Sequence, residues 1–217
     1  DAGQLGPTAV SEPNSLVLKP IPFDKDVIDV DLGEHHACVL LKDGEAYCWG
    51  SNANKQIHDS LIVEFATPQL ISDGPFVSIV AGDQHSCALD ADGTAYCWGQ
   101  ANRVGTDLEG IGHEAPAPVS ANFKFRKLVS DSDHTCGIVE SSSEMIACWG
   151  GGEQNELGTT QHGSLVPIRV ELLNSKKIVD ISTHRFATCL VFDDGSVECV
   201  GGAQYGALGR DLPADES

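Results

Sequence analysis

Eight cysteines and eight histidines are the residues of this 217-residue chain best equipped for chemistry. The cysteines stand at Cys38, Cys48, Cys87, Cys97, Cys136, Cys148, Cys189 and Cys199, and three are preceded by a histidine two residues earlier: His36, His85 and His134. Thiolates and imidazoles can hold zinc, exchange electrons or form a nucleophile–base couple. Zinc sites draw on ligand pairs roughly two to four residues apart, as in Cys-x2-Cys, and this chain has none. The fourth unit also carries Ala187 where the others carry histidine, which suits a packing position better than a required ligand. No Gly-x-Ser-x-Gly elbow, His-Glu-x-x-His pair or phosphate-cradling glycine loop is present. His35, His58, His113, His162 and His184 could act as general bases, but the residue pattern supplies no catalytic constellation around them. Neither catalysis nor a cofactor or metal is expected. The sequences Asp90-Ala91-Asp92-Gly93 and Asp193-Asp194-Gly195 look like fragments of calcium loops but lack the downstream bidentate glutamate.

The cysteine spacing belongs to a repeat. The segments His36–Gly50, His85–Gly99 and His134–Gly150 nearly superimpose, each ending in Cys-Trp-Gly, and Thr188–Gly201 follows them with Val200 in place of tryptophan. A period near 50 residues held four times indicates a repeat architecture. Each unit opens with a β-branched stretch such as Val27-Ile28-Asp29-Val30 or Val77-Ser78-Ile79-Val80. Two cysteine-bearing strands follow, joined by Lys42-Asp43-Gly44, Ala91-Asp92-Gly93 or Asp193-Asp194-Gly195, loops that suit a hairpin with a left-handed glycine last. The third unit has Ser141-Ser142-Ser143 instead. A Pro-flanked strand closes the unit, as in Thr67-Pro68-Gln69-Leu70-Ile71 and Val166-Pro167-Ile168-Arg169-Val170. No long stretch has helical periodicity.

Four short strands per unit is the pattern of a β-propeller blade. The residues resemble the regulator of chromosome condensation repeat, whose units end in Trp-Gly-x-Asn-x-x-Gly-Gln-Leu-Gly. Cys48-Trp49-Gly50-Ser51-Asn52 and Gly3-Gln4-Leu5-Gly6 match that pattern best. The resemblance implies an all-β, propeller-like array of about four four-stranded blades. It does not imply one activity, because similar repeats serve nuclear exchange factors for a small GTPase, plant receptor ectodomains and bacterial secreted inhibitors of β-lactamase. The units are expected at 27–76, 77–125, 126–177 and 178–217. Residues 1–26 form a partial repeat whose strand around Leu16-Val17-Leu18 could close a ring. A closed small ring, half of a larger ring completed by a second chain, and a segment of a longer protein all fit.

Within each unit the midpoint between the two cysteines falls in the hairpin loop, on Asp43, Asp92, Ser142 and Asp194. Strand side chains alternate with period two, so each pair faces across its hairpin, within reach of a disulfide. Four intra-blade bridges are expected, with zinc ligation and buried free thiols as the alternatives. Bridges place the chain in an oxidising compartment: extracellular, periplasmic or at the cell surface. They argue against a nuclear exchange-factor role. No Asn-x-Ser/Thr acceptor occurs.

With 13 basic and 32 acidic side chains the formal charge is −19, and no basic run is longer than a pair. Phosphate backbones and anionic headgroups are thereby disfavoured, and neither nucleic acid nor membrane insertion is expected. No apolar run approaches a bilayer span, and no basic-then-apolar leader opens the chain, which reads as a mature soluble chain or an excised piece. Trp49, Trp98 and Trp149 recur after cysteine and are expected to be structural, with Met145, Phe123 and Phe125 as core. The loops after Trp-Gly repeat least, and recognition is installed in such loops. Residues 56–65 and 107–114 carry the candidate binding side chains His58, Asp59, Glu64, Phe65, Asp107, Glu109, His113 and Glu114. The expected role is a secreted or surface-exposed non-catalytic module whose acidic loops bind another macromolecule, a protein with a basic surface. Inhibition of a secreted enzyme, an adhesin-type structural repeat and self-association into a larger ring are the alternatives.

Overall fold

The computed structural model describes residues 18–107, 112–172 and 176–209. They form four antiparallel sheets, one per repeat. The first blade holds β1 (Val27–Leu32), β2 (His36–Leu41), β3 (Ala46–Ser51) and β4 (Glu64–Ser72), in that spatial order. The second holds β5 (Phe76–Ala81), β6 (His85–Asp90), β7 (Ala95–Gly99) and β8 (His113–Pro118), and the third β9 (Phe125–Asp131), β10 (His134–Val139), β11 (Met145–Gly151) and β12 (Gly163–Glu171). In the fourth, β13 (Ile178–His184), β14 (Ala187–Phe192) and β15 (Val197–Gly201) are the strands among the described residues. The only helical pieces among those residues are two three-residue 3-10 turns, Ala101–Arg103 and Gln204–Gly206. The Gly3-Gln4-Leu5-Gly6 element and most of the expected closing strand lie outside the described residues.

Hairpin register puts the cysteines opposite one another in every blade: Cys38 with Cys48, Cys87 with Cys97, Cys136 with Cys148, and Cys189 with Cys199. All four pairs are disulfides, with Cα atoms 4.1 Å apart and no free cysteine. Each closes a short loop and contributes on the order of 2.5–3 kcal/mol by restricting the unfolded chain. The hairpins turn on Gly44, Gly93 and Gly195 at φ +92°, +75° and +80°, where a Cβ would be strained. Pro68 and Pro167 fall within β4 and β12, outermost strands where a missing N–H leaves no ladder bond broken.

The core lies between blades. The face of blade one bearing Cys38, Leu40, Ala46, Cys48 and Ile57 packs on Phe76, Ile79, Ala88 and Trp98 of blade two. The same plan sets Leu89 and Val104 of blade two against Phe125, Leu128 and Trp149 of blade three, then Ile138 and Leu157 of blade three against Ile181, Leu190 and Phe192 of blade four. Trp98 and Trp149 are fully buried and Trp49 nearly so, as structural tryptophans should be. Phe125 is buried as well, while Phe123 and Met145 are half-buried against the same cluster. The first strands of successive blades lie side by side. In the first seam they are joined through side chains: Asp29 accepts from the Ile79 N–H (3.1 Å) and Asp31 from the Ala81 N–H (2.8 Å).

Candidate functional site

Antiparallel strands reverse at alternate ends, so the turn between the first and second strands of each blade emerges beside the long loop between its third and fourth. One face of the molecule therefore gathers the turns at 33–35, 82–84, 132–133 and 185–186 with the loops at 52–63, 100–112 and 152–162.

The three repeat histidines sit just beneath this face, fully buried. His36 Nε2 lies 2.8 Å from Ser86 Oγ, His85 Nε2 2.7 Å from Thr135 Oγ1, and His134 Nε2 3.2 Å from Thr188 Oγ1, each bond crossing to the next blade. Thr188 donates its own hydrogen to the Glu156 carbonyl, so His134 must be the donor, in the Nε2–H tautomer. Nδ1 of all three rings has no hydrogen-bond partner among the described residues. Burial holds their pKa values down, to about 4 for His36 and His134 and about 3 for His85. The His36–Ser86 distance suits a nucleophile–base couple, but no substrate reaches two groups at zero exposure. These pairs are seams between blades. Gly33 and Gly82 make room for them, since a Cβ on either would meet the imidazole below at under 3 Å.

On the first two blades the loops meet at the surface. Asn52 organises loop 52–63, accepting from the Ile57 and His58 N–H groups and donating to the His58 and Ile62 carbonyls. Buried Ile57 anchors the loop in the first seam. Lys55 Nζ reaches Asp59 at 3.4 Å and Glu114 of the second blade at 4.0 Å, so two candidates from different loops share one cation. His58 and Phe65 touch edge to face, with ring centroids 6.1 Å apart. His113 instead faces buried Thr106, and Asp107 is tied back to Ser120. Glu109 lies outside the described residues. Glu64, Phe65, His113 and Glu114 were expected in loops, yet they begin β4 and β8: pairing of Gly50 with Phe65, Ser51 with Glu64 and Gly99 with His113 resumes beyond a register shift and carries the outer strands further.

Sequence reasoning passed over what this loop presents most openly. Leu61, Ile62 and Val63 are 97 %, 55 % and 66 % exposed, flanked by exposed Asp59 and Glu64. Three consecutive aliphatics in a polar, non-repeating loop were the available signal.

Two concave regions complete the face and the adjoining axis. A polar cleft of about 790 Å³ spans blades two to four, lined by Arg103, Asp133, Glu153, His162, Arg185 and Phe186, with Arg103 paired to Asp133 across the second seam. A groove of about 520 Å³ follows the inner strands past Asp29, Asp31, Ser130 and Asp131. Burial raises the carboxyls of Asp31 and Asp131 above the usual range. Among the described residues one trio has metal-ligand spacing: Glu34, His35 and Asp83, with ligand atoms within 4.8 Å of one another. The His35–Asp83 contact at 3.4 Å joins the first two turns and accounts for that approach. The calcium-like carboxylates are spent on their own turns, Asp90 on the Asp92 and Thr94 N–H groups and Asp194 on Ser196 and Lys176. No helix among the described residues is long and apolar enough to cross a membrane.

Family models for the regulator of chromosome condensation (RCC1) repeat match residues 27–56, 76–106 and 43–89. The chain is 31 % identical over 218 aligned residues to the X-linked retinitis pigmentosa GTPase regulator of Canis lupus familiaris, covering 97 % of this chain and 21 % of that protein. Among solved structures, human WBSCR16 superposes with a TM-score of 0.80 at 19 % identity, covering 96 % of this chain and 56 % of that one. Prp20p from Saccharomyces cerevisiae, described with its binding to Gsp1p and histones, gives 0.75 at 16 % identity, covering 89 % and 49 %. The chain thus spans about a fifth of the length of the curated relative and about half of each structural neighbour.

Proposed function

Since the chain belongs to the regulator of chromosome condensation repeat family, we propose that it is a non-catalytic module, secreted or held at a cell surface, that binds a protein through the loop face of its first two blades. The observation that carries this reading is the exposed Leu61-Ile62-Val63 run, held on a loop that Asn52 and Ile57 make rigid. Exposed aliphatics on an ordered loop, rimmed by charge, have the anatomy of a protein-binding hot spot. The rim is acidic, with Asp59, Glu64 and Glu114 against Lys55, and the whole chain carries −19, so the complementary partner is basic. The four disulfides support the oxidising compartment.

Selection from a displayed peptide library on the immobilised chain tests this directly. The expected ligands are basic peptides with an aliphatic or aromatic centre. Leu61→Asp should weaken their binding about tenfold or more while leaving the unfolding midpoint unchanged, because the side chain is solvent-exposed. Asp59→Lys with Glu114→Lys should slow association and flatten its dependence on salt. Ligands that bind all three proteins equally would place recognition elsewhere.

A further inference from the structure

The four blades repeat one seam three times, and that seam shows what each blade surface requires. On the trailing side of a blade the contact positions are Cys38, Leu40, Ala46 and Cys48 in blade one, then Cys87, Leu89, Ala95 and Cys97, then Cys136, Ile138, Ile146 and Cys148. All twelve are at most 4 % exposed. Their equivalents in blade four are Cys189, Val191, Val197 and Cys199; Val191 is 37 % and Val197 59 % exposed, and both cysteines are half-buried. On the leading side, Ile79, Leu128 and Ile181 are buried against the preceding blade, whereas Val30 at the matching place in blade one is 59 % exposed. Residues Ile21 and Phe23 cover only the part of that leading side near Ala37, Val39 and Trp49. The molecule thus carries one unmatched trailing face and one partly open leading face.

The buried hydrogen bonds indicate that these two faces suit each other. Every internal seam pairs a histidine two residues before the first cysteine with a hydroxyl one residue before the next blade's first cysteine. Blade four has Ala187 at the histidine position, and blade one has Ala37 at the hydroxyl position. A histidine-bearing blade seated on blade one would bury its Nε2 against a methyl group. A Ser- or Thr-bearing blade seated on blade four would bury a hydroxyl without its imidazole. Seating Ala37 against Ala187 leaves neither polar group unpaired, and an unpaired buried group is the costly outcome. We propose that the trailing face of blade four docks the leading face of blade one of a second copy of this chain, head to tail, as a fourth seam of the same kind. Two such seams close a pair of half-rings, which is how heterologous contacts end in a closed assembly rather than a filament. The Leu61 loop lies on another surface, so this inference and the proposed function fail separately.

Native mass spectrometry and light scattering of the 217-residue chain over about 1–100 µM test it. A dimer is expected. Val191→Asp on the trailing face and Val30→Asp on the leading face should each give a folded monomer, since both side chains are already partly exposed. Mixing the two variants should restore a dimer, because one unmutated trailing face then meets one unmutated leading face. A wild-type monomer across the whole range, a dimer indifferent to both substitutions, or variants that fail to complement would overturn the proposal. A monomer in which Val191 is protected from solvent, as when the chain closes on itself, would overturn it as well. Ala187→His combined with Ala37→Thr should install the missing hydrogen bond and shift dissociation to lower concentration, whereas Ala187→His alone should weaken the dimer.

Discussion

Acidification from pH 7 to pH 4 is expected to strip several kcal/mol of folding stability from this protein and to unfold it before the lower limit is reached. His36, His85 and His134 are buried as neutral rings, each with an unpartnered Nδ1 that would become a second buried donor on protonation. Burial lowers their pKa from the ordinary 6.5 to about 4, 3 and 4. The unfolded chain therefore takes up protons first, and stability falls as the pH drops below about 6.5 and continues to fall toward about 4. A shift of this size corresponds to roughly 3 kcal/mol per ring, and three rings approach the whole of a typical domain's 5–15 kcal/mol. Asp31 and Asp131 act in the opposite sense, since their raised pKa values favour protonation in the folded state, but only at the acid end of the range and as half-buried groups. Urea unfolding at pH 7, 6 and 5, followed by tryptophan fluorescence, should show a steadily falling midpoint. His→Gln at all three positions should flatten the profile. A wild-type midpoint constant between pH 7 and 5 would contradict the assignment of these rings.

Truncating Trp98 to alanine should cost about 3–5 kcal/mol, the range for emptying a fully buried aromatic site. The ring fills the first seam against Cys38, Leu40, Cys48 and Ile57, and its Nε1–H donates to the Gln56 carbonyl at 2.9 Å. The same carbonyl lies within 3.5 Å of the Ser86 hydroxyl that meets His36, so one substitution loosens packing and the hydrogen-bonded seam together. Trp98→Phe keeps most of the fill and should cost about 1 kcal/mol beyond the lost volume, for the unpaired carbonyl. A Trp98→Ala loss below about 1 kcal/mol in chemical denaturation would show that the seams do not hold the blades together.

Most of the architecture was legible because the chain states it four times. Cysteine midpoints on Asp43, Asp92, Ser142 and Asp194 gave the hairpin register directly, since facing depends only on the period of two along a strand. The third repeat keeps that facing despite its longer loop because two added residues preserve parity. The partnership of His36 with Ser86 was not legible. It joins residues 50 apart across a blade boundary, where no local periodicity reports and only the angle between sheets decides what meets. The candidate site was read in part. Composition pointed to the acidic members of loop 52–63, but Leu61, Ile62 and Val63 look like the start of a strand until the ladder is seen to resume at Glu64. Pairing across a register shift likewise carried His113 and Glu114 out of their expected loop.

The most direct test is the thiol count of the protein taken from its native compartment, alkylated under denaturing conditions without reductant and weighed intact. Four intra-blade disulfides predict no added alkyl groups, and eight after reduction, with peptide mapping linking 38 to 48, 87 to 97, 136 to 148 and 189 to 199. Eight groups added before reduction, or bridges between different blades, would contradict both the stitched-blade architecture and the oxidising location inferred from it.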